Sequence, residues 1–373
     1  MRGKAFWQLV EALSRVRNEI TCNENLAHPL PVQRLMELGK NASIEIAPSS
    51  AEQIPRGSVC QVYVNMVKKD LAHFDEVAAS VQLLSERNFW TVAHVPASRF
   101  IEREIAKSIM RKLEHSGANA LLLLAGNDAN DFDSSNEFPH IAMTLLPLLP
   151  EGIRNVCVTG YPERGHNTQQ ILATKCQAVH AARCEVCVVS QFTLDPRHLI
   201  HWLDETRTQL ADLSVRYRIG IPGPTPLKTL HRVAQICQVP TIQQDEYQLQ
   251  LLEAILGIDR AAILTYSHQL SSSSLRNLAI ELCNHHRTDE SIIVKRQSST
   301  FTSGGPSTFV SNSIATEEGA VFLPTDQILA LAHYCDRTNV RPDEVALHFY
   351  PFGCISSTLQ LIADLREGKL PNS

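Results

Sequence analysis

The chain has 373 residues, of which 44% are hydrophobic and 20% charged, and its formal net charge is -5. This composition is typical of a globular enzyme with a sizeable core. The mild acidity argues against nucleic acid or an anionic membrane as the main partner, because both attract a concentrated basic face. The longest predominantly apolar stretch, near residues 118–125, is far shorter than the roughly 20 residues that span a bilayer.

The N-terminal stretch MRGKAFWQLVEALSRVRNE is amphipathic but contains Glu11 and Glu19. It lacks the apolar core and cleavage site of a secretory signal, and its acidic residues weaken the alternative of a mitochondrial presequence. The chain has ten cysteines, several of them within apolar runs, as expected for buried thiols in a reducing compartment. We therefore expect a cytoplasmic protein. The cysteines in apolar runs are Cys60, Cys157, Cys184 and Cys187.

Cys184 and Cys187 have the CxxC spacing of zinc and redox sites. They lie within one strand pattern, however, and no second pair is nearby. This context favours a structural role for both thiols, and the sequence predicts no metal site.

From residue 40 onward, short β-rich runs alternate with helical patterns such as 100–117, 198–213 and 226–238. Alternation of this kind indicates βαβ units and a parallel sheet. Eight such strands predict a (β/α)8 TIM barrel, whose functional site lies at the C-terminal strand ends. The predicted strands are 43–47, 60–67, 89–95, 120–126, 155–161, 184–192, 217–223 and 345–351.

Two regions fall outside the regular alternation. Residues 1–38 predict an N-terminal helix and a Pro-rich connector, and residues 39–373 the barrel. Within the barrel, about 243–325 form an elaborated segment before the last strand, with Ser/Gly-rich stretches typical of loops.

Polar side chains occur where the predicted strands end. Glu45 lies between Ile44 and Ile46 in the first strand. We expect this apolar setting to raise the pKa of its carboxyl group and suit it to general acid catalysis. The other polar residues at strand ends are Asn65, His94, Asn127, Asp128, Tyr161, His166 and Gln191.

Seven motifs lie at or near the ends of the predicted strands: SIEIAPS, AHVPAS, ALLLLAGND, VTGYPERGH, VVSQFTLD, RIGIPGPTPLKTL and LHFYPFG. In the same order along the chain, they resemble the motifs of the methylenetetrahydrofolate reductase family, whose members are flavin-dependent (β/α)8 barrels. The resemblance covers about 40–240 and again about 343 to the C-terminus. No single motif is specific, but the shared order supports the barrel.

The resemblance implies an oxidoreductase that interconverts 5,10-methylenetetrahydrofolate and 5-methyltetrahydrofolate, with FAD and NAD(P)H as cofactors and tetrahydrofolate derivatives as partners. Glu45 would be the general acid, Gln191 would hydrogen-bond the pterin, and Asn127 would lie beside the reacting centre. The sequence leaves homo-oligomerisation open. The residues implied to bind the flavin are Asn65, His94, Ala125, Gly126, Asp128, Tyr161, His166 and Lys175.

The chain also departs from the family pattern. The family's Arg-Gly-Asp turn is Ala125-Gly126-Asn127 here, and Lys175 is the one obvious cation left in the helix after the fifth strand. These changes keep two alternatives open: a folate-binding or regulatory barrel that has lost flavin, and a folate-dependent methyltransferase. The sequence contains no Gly-rich dinucleotide loop and no phosphate loop.

Overall fold

A computed structural model of the chain describes residues 31–66, 72–97, 102–124, 143–164, 166–239 and 321–370. Eight parallel strands in these ranges form a closed barrel. Each strand pairs with its sequence neighbour, and the last pairs with the first, so the predicted (β/α)8 fold is confirmed. The barrel strands are β1 (Ser43–Ile46), β2 (Gln61–Val64), β3 (Trp90–Pro96), β4 (Ala120–Leu124), β5 (Asn155–Gly160), β6 (Glu185–Ser190), β7 (Val215–Pro222) and β10 (Val345–Tyr350).

All eight barrel strands fall within or next to the runs predicted from the sequence. Their side chains are almost continuously buried, because one face packs on the surrounding helices and the other fills the barrel. A smaller antiparallel pair, β8 (Thr225–Pro226) and β9 (Val321–Phe322), lies outside the barrel sheet.

The described helices surround the strands. They are α1 (Val32–Lys40), α2 (Ala72–Glu86), α3 (Arg103–His115), α4 (His166–Ala181), α5 (Pro196–Gln209), α6 (Leu227–Ile236), α7 (Thr325–Arg337) and α8 (Ile355–Arg366). Sequence signals fix some of their ends. Asp195 caps α5 by accepting the backbone N–H of Arg197 at 2.8 Å, and Pro196 occupies the first helical position. After β1, a 3-10 helix at Pro48–Gln53 stands where an α-helix is usual.

The core has two layers. The outer layer lies between strands and helices and includes Ile44 and Ile46. The inner layer fills the barrel, with Tyr63, Leu122 and Cys157 among its members. Glu45, between Ile44 and Ile46 in sequence, therefore points to the opposite side of the sheet from both of them.

Helix α1 packs on the last helix of the barrel. Leu35, Leu38 and Gly39 are its buried residues, and a Cβ on Gly39 would lie 2.7 Å from the backbone nitrogen of Arg366. Arg366 also donates from Nε to the carbonyl of Gly39 at 3.2 Å. The helix crosses the predicted boundary at residue 38, and the domain division itself remains a prediction. Residues 1–30 and most of 243–325 lie outside the described ranges.

One prediction about the thiols is wrong. Cys60 is exposed and precedes β2, whereas Cys157 and Cys184 are buried as expected and Cys187 is half-buried. Within the part of the chain that the structure describes, none of the helices combines the length and apolarity needed to cross a lipid bilayer.

Candidate active site

The side chain of Glu45 lies on the inner face of β1, close to polar groups from three other strands or strand ends. Asn65, directly after β2, donates from Nδ2 to Oε1 of Glu45 at 3.1 Å. The Nε2 atoms of His94 on β3 and His348 on β10 lie 3.5 Å and 3.7 Å from Oε2. The structure thus brings three of the residues predicted from the sequence together and adds His348.

Ser43 contacts the ring nitrogen of His348 that faces away from Glu45. The Oγ atom of Ser43 lies 2.9 Å from Nδ1 of His348 and donates to the carbonyl of Leu347 at 3.1 Å. In the tautomer protonated at Nδ1, this hydroxyl donates to Leu347 and accepts from Nδ1–H, and Nε2 of His348 is then unprotonated beside Glu45. A proton that enters the site can therefore lie between Nε2 of His348 and Oε2 of Glu45.

The charge state of this cluster corrects the prediction for Glu45. Burial acts to raise the pKa of the Glu45 carboxyl, but His94, His348 and the hydrogen bond from Asn65 outweigh it, so the pKa is lowered. Burial lowers the pKa values of His94 and His348 despite the opposing effect of Glu45. At neutral pH the site holds an ionised carboxylate next to two neutral imidazoles.

Three atoms of the cluster have no hydrogen-bond partner within the described structure: Nε2 of His94, Nε2 of His348 and Oδ1 of Asn65. Buried polar atoms of this kind are costly unless something binds them. Within the described ranges, no group of three or more His, Cys, Asp or Glu side chains is arranged to hold a metal ion. The free atoms are therefore available to polar groups of a small molecule.

Aromatic rings form one wall beside the cluster. His348 lies edge-on to Tyr63 and to Tyr350, with centroid distances of 4.5 Å and 4.9 Å. Tyr350 donates its hydroxyl to the carbonyl of Ser190 at 2.9 Å, and Phe352 stacks parallel to its ring at 6.0 Å. A planar heterocycle could pack against such a wall while its polar edge faces Glu45.

Gln191 directly follows β6 and is half-buried. Its Oε1 atom accepts the backbone N–H of Phe192 at 3.1 Å. The side-chain nitrogen is the part of this amide that could donate to a ligand. Its role in binding pterin stays a prediction.

Tyr161 and Lys175 meet after β5. The ammonium of Lys175 lies 5.9 Å from the centroid of the Tyr161 ring and 3.4 Å from both the carbonyl and the hydroxyl of Thr159. Lys175 is 6% exposed. A cation buried against the end of β5 is poorly placed to bind a solvent-facing phosphate.

The loop that contains Tyr161 is tied to the next strand end through Glu163. The carboxylate of Glu163 accepts a very short hydrogen bond from the hydroxyl of Thr193 and lies 3.5 Å from Nδ1 of His198. His166 begins α4, but its side chain lies outside the described part of the structure.

Four residues predicted from the sequence, Ala125, Gly126, Asn127 and Asp128, lie outside the described ranges. The fit of a flavin can therefore be judged only for its ring system. Asn65, His94 and Tyr161 offer amide and aromatic contacts of the kind that an isoalloxazine ring needs. Among the described members of the predicted set, Lys175 is the one cation, and it is buried.

Sequence reasoning missed His348, Ser43 and Tyr350 as site residues. All three alternate with outward-facing apolar neighbours, in SIEI and VALHFY. Since residues two apart share a face of a strand, this alternation places Ser43 with Glu45 and His348 with Tyr350 inside the barrel. This alternation is visible in the sequence. Assigning the three residues to the site also requires knowing that the last strand pairs with the first.

No protein-family model matches the chain. Solved structures that are similar to it include a GH10 endoxylanase from a sugarcane soil metagenome, with 13% identity over 52% of this chain and 69% of that one and a TM-score of 0.36. A D-psicose 3-epimerase has 12% identity, coverage of 48% and 73%, and a TM-score of 0.34. The 3-dehydroquinate dehydratase of Enterococcus faecalis has 15% identity, coverage of 48% and 79%, and a TM-score of 0.32. These similarities carry no argument about function, and the fold assignment rests on the observed barrel.

Proposed function

We propose that the protein is a flavin-dependent oxidoreductase that interconverts 5-methyltetrahydrofolate and 5,10-methylenetetrahydrofolate, with Glu45 as the group that exchanges a proton with the folate. The motif order along the chain supports the choice of substrate. The observation that carries the role of Glu45 is its ionised carboxylate, held between His94 and His348 at the end of the barrel where TIM-barrel active sites lie.

The lowered pKa of Glu45 leaves its carboxyl group ionised at neutral pH, which is the form that accepts a proton in the oxidising direction. Bound flavin would supply the hydride-accepting chemistry that converts the N5-methyl group of the folate into a cationic iminium. The carboxylate of Glu45 stabilises this positive charge electrostatically. When N10 then attacks the iminium carbon to close the ring, a C–N bond forms and the N10 proton passes to Glu45.

His94 and His348 complete the proton path. Protonated Glu45 can share its proton with Nε2 of either histidine, and each of these atoms lies within 3.7 Å of Oε2. In the reducing direction the same carboxyl group returns the proton to N10 as the ring opens. Asn65 holds Oε1 and fixes the orientation of the carboxylate throughout.

The visible absorption spectrum of the freshly purified protein tests the proposal, recorded before and after anaerobic addition of 5-methyltetrahydrofolate. We expect a flavin spectrum that bleaches on addition of the folate. A protein that stays colourless after incubation with FAD and desalting would overturn the proposal. A flavin-free folate-binding barrel or a folate-dependent methyltransferase would then be favoured, and the burial of Lys175 would agree with either.

A further inference from the structure

Arg218 is a buried cation that has no carboxylate partner among the described residues. It lies on the inner face of β7 and is 5% exposed. Its Nη1 atom donates to the backbone carbonyl of Asn41 at 3.3 Å, whereas its Nε atom has no hydrogen-bond partner in the described structure. No described carboxylate lies within ion-pair distance of it. An arginine this deep needs an anion nearby, since an unpaired buried charge is strongly destabilising.

Two thiols share the barrel interior with this arginine. Cys157 on β5 and Cys187 on β6 are direct partners in the parallel register. Cys157 belongs to the inner core layer and Cys187 packs against it. Neighbouring strands lie about 4.8 Å apart, which is within the range of about 4.4–6.8 Å for the Cα atoms of a disulfide.

A cavity connects this pair to the outside at the N-terminal end of the barrel. Its volume, measured as space for the centres of water-sized molecules, is about 20 Å³, and its lining includes Cys157, Cys187, Arg218 and Tyr63. The hydroxyl of Tyr63 lies 3.8 Å from Sγ of Cys157. A molecule about the size of water or hydrogen peroxide can therefore approach the two thiols from the side opposite to Glu45.

We propose that Cys187 is the thiolate that balances the charge of Arg218, and that it is a site of selective oxidation by peroxides, with Cys157 as its resolving thiol. The CxxC partner in sequence, Cys184, takes no part, because it is buried in the outer core layer on the other side of the sheet. The two reacting thiols therefore come from neighbouring strands, not from the CxxC spacing of a single segment.

The electrostatics of the pair support this assignment. The hydrogen bond from the Cys157 thiol lowers the pKa of Cys187, and the Arg218 guanidinium also lowers it, while burial opposes both. The hydrogen bond to Cys187 and burial raise the pKa of Cys157 well above its usual value. One thiolate and one thiol are the forms that the chemistry requires.

The oxidation proceeds in two balanced steps. In the first, the Cys187 thiolate attacks one oxygen of hydrogen peroxide, so that an S–O bond forms, the O–O bond breaks, sulfur is oxidised and the released hydroxide is protonated to water. In the second, the Cys157 sulfur attacks Sγ of Cys187. An S–S bond forms, the S–O bond breaks, and a second water leaves with the thiol proton.

Limiting hydrogen peroxide added to the full-length protein tests the proposal, followed by alkylation in denaturant and mass spectrometry of tryptic peptides. We expect the first product to join the peptides 155–164 and 184–197 through Cys157 and Cys187. Cys187→Ser abolishes this product, whereas the matched control Cys184→Ser retains it. Preferential oxidation of exposed Cys60 in the wild-type protein, or loss of the product in Cys184→Ser alone, would overturn the proposal.

The role of Arg218 is tested by comparing two substitutions. Arg218→Gln is expected to slow oxidation of Cys187 by about tenfold or more, because the thiolate fraction falls about tenfold for each unit by which the pKa rises. Arg218→Lys, which keeps the charge, should stay within about threefold of the wild-type rate. Equal rates in both variants would contradict the assignment.

A measurement on the wild-type protein keeps the proposal testable if the Arg218 variants do not fold. Iodoacetamide added in small amounts to the native protein should alkylate Cys187 faster than the buried thiols of Cys184 and Cys176. If Cys187 reacts no faster than these two, it is not a thiolate and the proposal fails.

Discussion

Nε2 of His348, on the last barrel strand, lies 3.7 Å from Oε2 of Glu45, on the first. The two strands pair directly, with Ser43 opposite His348. The candidate site is therefore built across the seam that closes the barrel, and it exists only when the C-terminal strand is in place.

Replacing Glu45 by Gln tests its role in proton exchange. The amide oxygen can still accept the hydrogen bond from Asn65, so the fold should be retained, but the side chain can no longer take or return a proton. We expect turnover of the folate to fall by about 10²- to 10⁴-fold, while reduction of bound flavin by the nicotinamide stays within a few-fold. Stopped-flow absorbance of the two half-reactions separates these effects. Loss of both in a folded variant would contradict the assigned role.

In the wild-type protein, the oxidation of 5-methyltetrahydrofolate and the reduction of 5,10-methylenetetrahydrofolate should depend differently on pH. The pKa of Glu45 is lowered from 4.5, so the carboxylate needed for oxidation of 5-methyltetrahydrofolate is present throughout pH 5–8. The protonated form needed in the reducing direction is scarce in this range and becomes more abundant as the pH falls. Single-turnover rates between pH 5 and pH 8 should thus change little for oxidation and rise towards low pH for reduction. An oxidation rate that drops below pH 7 would indicate a carboxyl group with a raised pKa.

The sequence was sufficient to predict the barrel. Strands covered on both faces are apolar along their whole length, and these runs alternate with helical patterns, as β4 and α3 illustrate. The C-terminal strand ends were likewise predictable as the place where Glu45, Asn65 and His94 meet, since this follows from the topology.

The environment of Glu45 was not predictable from its neighbours in sequence. Ile44 and Ile46 suggested an apolar pocket, but successive residues of a strand face opposite sides of the sheet. The groups that set the pKa come from β3 and β10, which are distant in the chain. Cys184 and Cys187 likewise lie on opposite faces despite their CxxC spacing, and the thiol facing Cys187 is Cys157 on another strand.

Acid should destabilise the fold through the buried histidines. The pKa of His348 in the folded protein is lowered from 6.5, so the unfolded chain binds the proton more readily. This contribution to stability is complete above pH 6.5 and is lost as the pH falls through 6.5 towards the folded value, at a rate of up to about 1.4 kcal/mol per pH unit. Because the pKa of Glu45 is also lowered, the free energy of unfolding decreases further as the pH falls below 4.5.

Chemical denaturation at several pH values between 5.0 and 7.5 measures this effect. The free energy of unfolding should depend less steeply on pH in His348→Asn than in the wild-type protein. His115→Asn, at an exposed position, serves as the control and should retain the wild-type slope. Parallel curves for wild type and His348→Asn would mean that His348 does not titrate differently in the folded and unfolded states.

Gly220, on β7, is expected to be intolerant of any side chain. A Cβ at this position would lie 2.8 Å from Cε2 of Tyr350 and 2.9 Å from the carbonyl carbon of Gln191, and closer still to the carbonyl oxygen of Ser190. Two of these atoms belong to the backbone of β6 and the residue after it, so they cannot move aside without disturbing the strand end. Gly220→Ala should lower the free energy of unfolding by about 1–3 kcal/mol.

Gly152→Ala is the matched control for this substitution. The first atom that its Cβ would meet is a carboxylate oxygen of Glu114, the end of a flexible side chain that can swing away, so its cost should stay below about 1 kcal/mol. Urea denaturation gives both values. Because Tyr350 borders the candidate site, Gly220→Ala should also raise the KM for the folate, whereas Gly152→Ala should leave it unchanged. Equal stabilities for the two variants would show that β6 and β7 can separate at this point, and the aromatic wall beside Glu45 would then be less rigid than the packing around Gly220 implies.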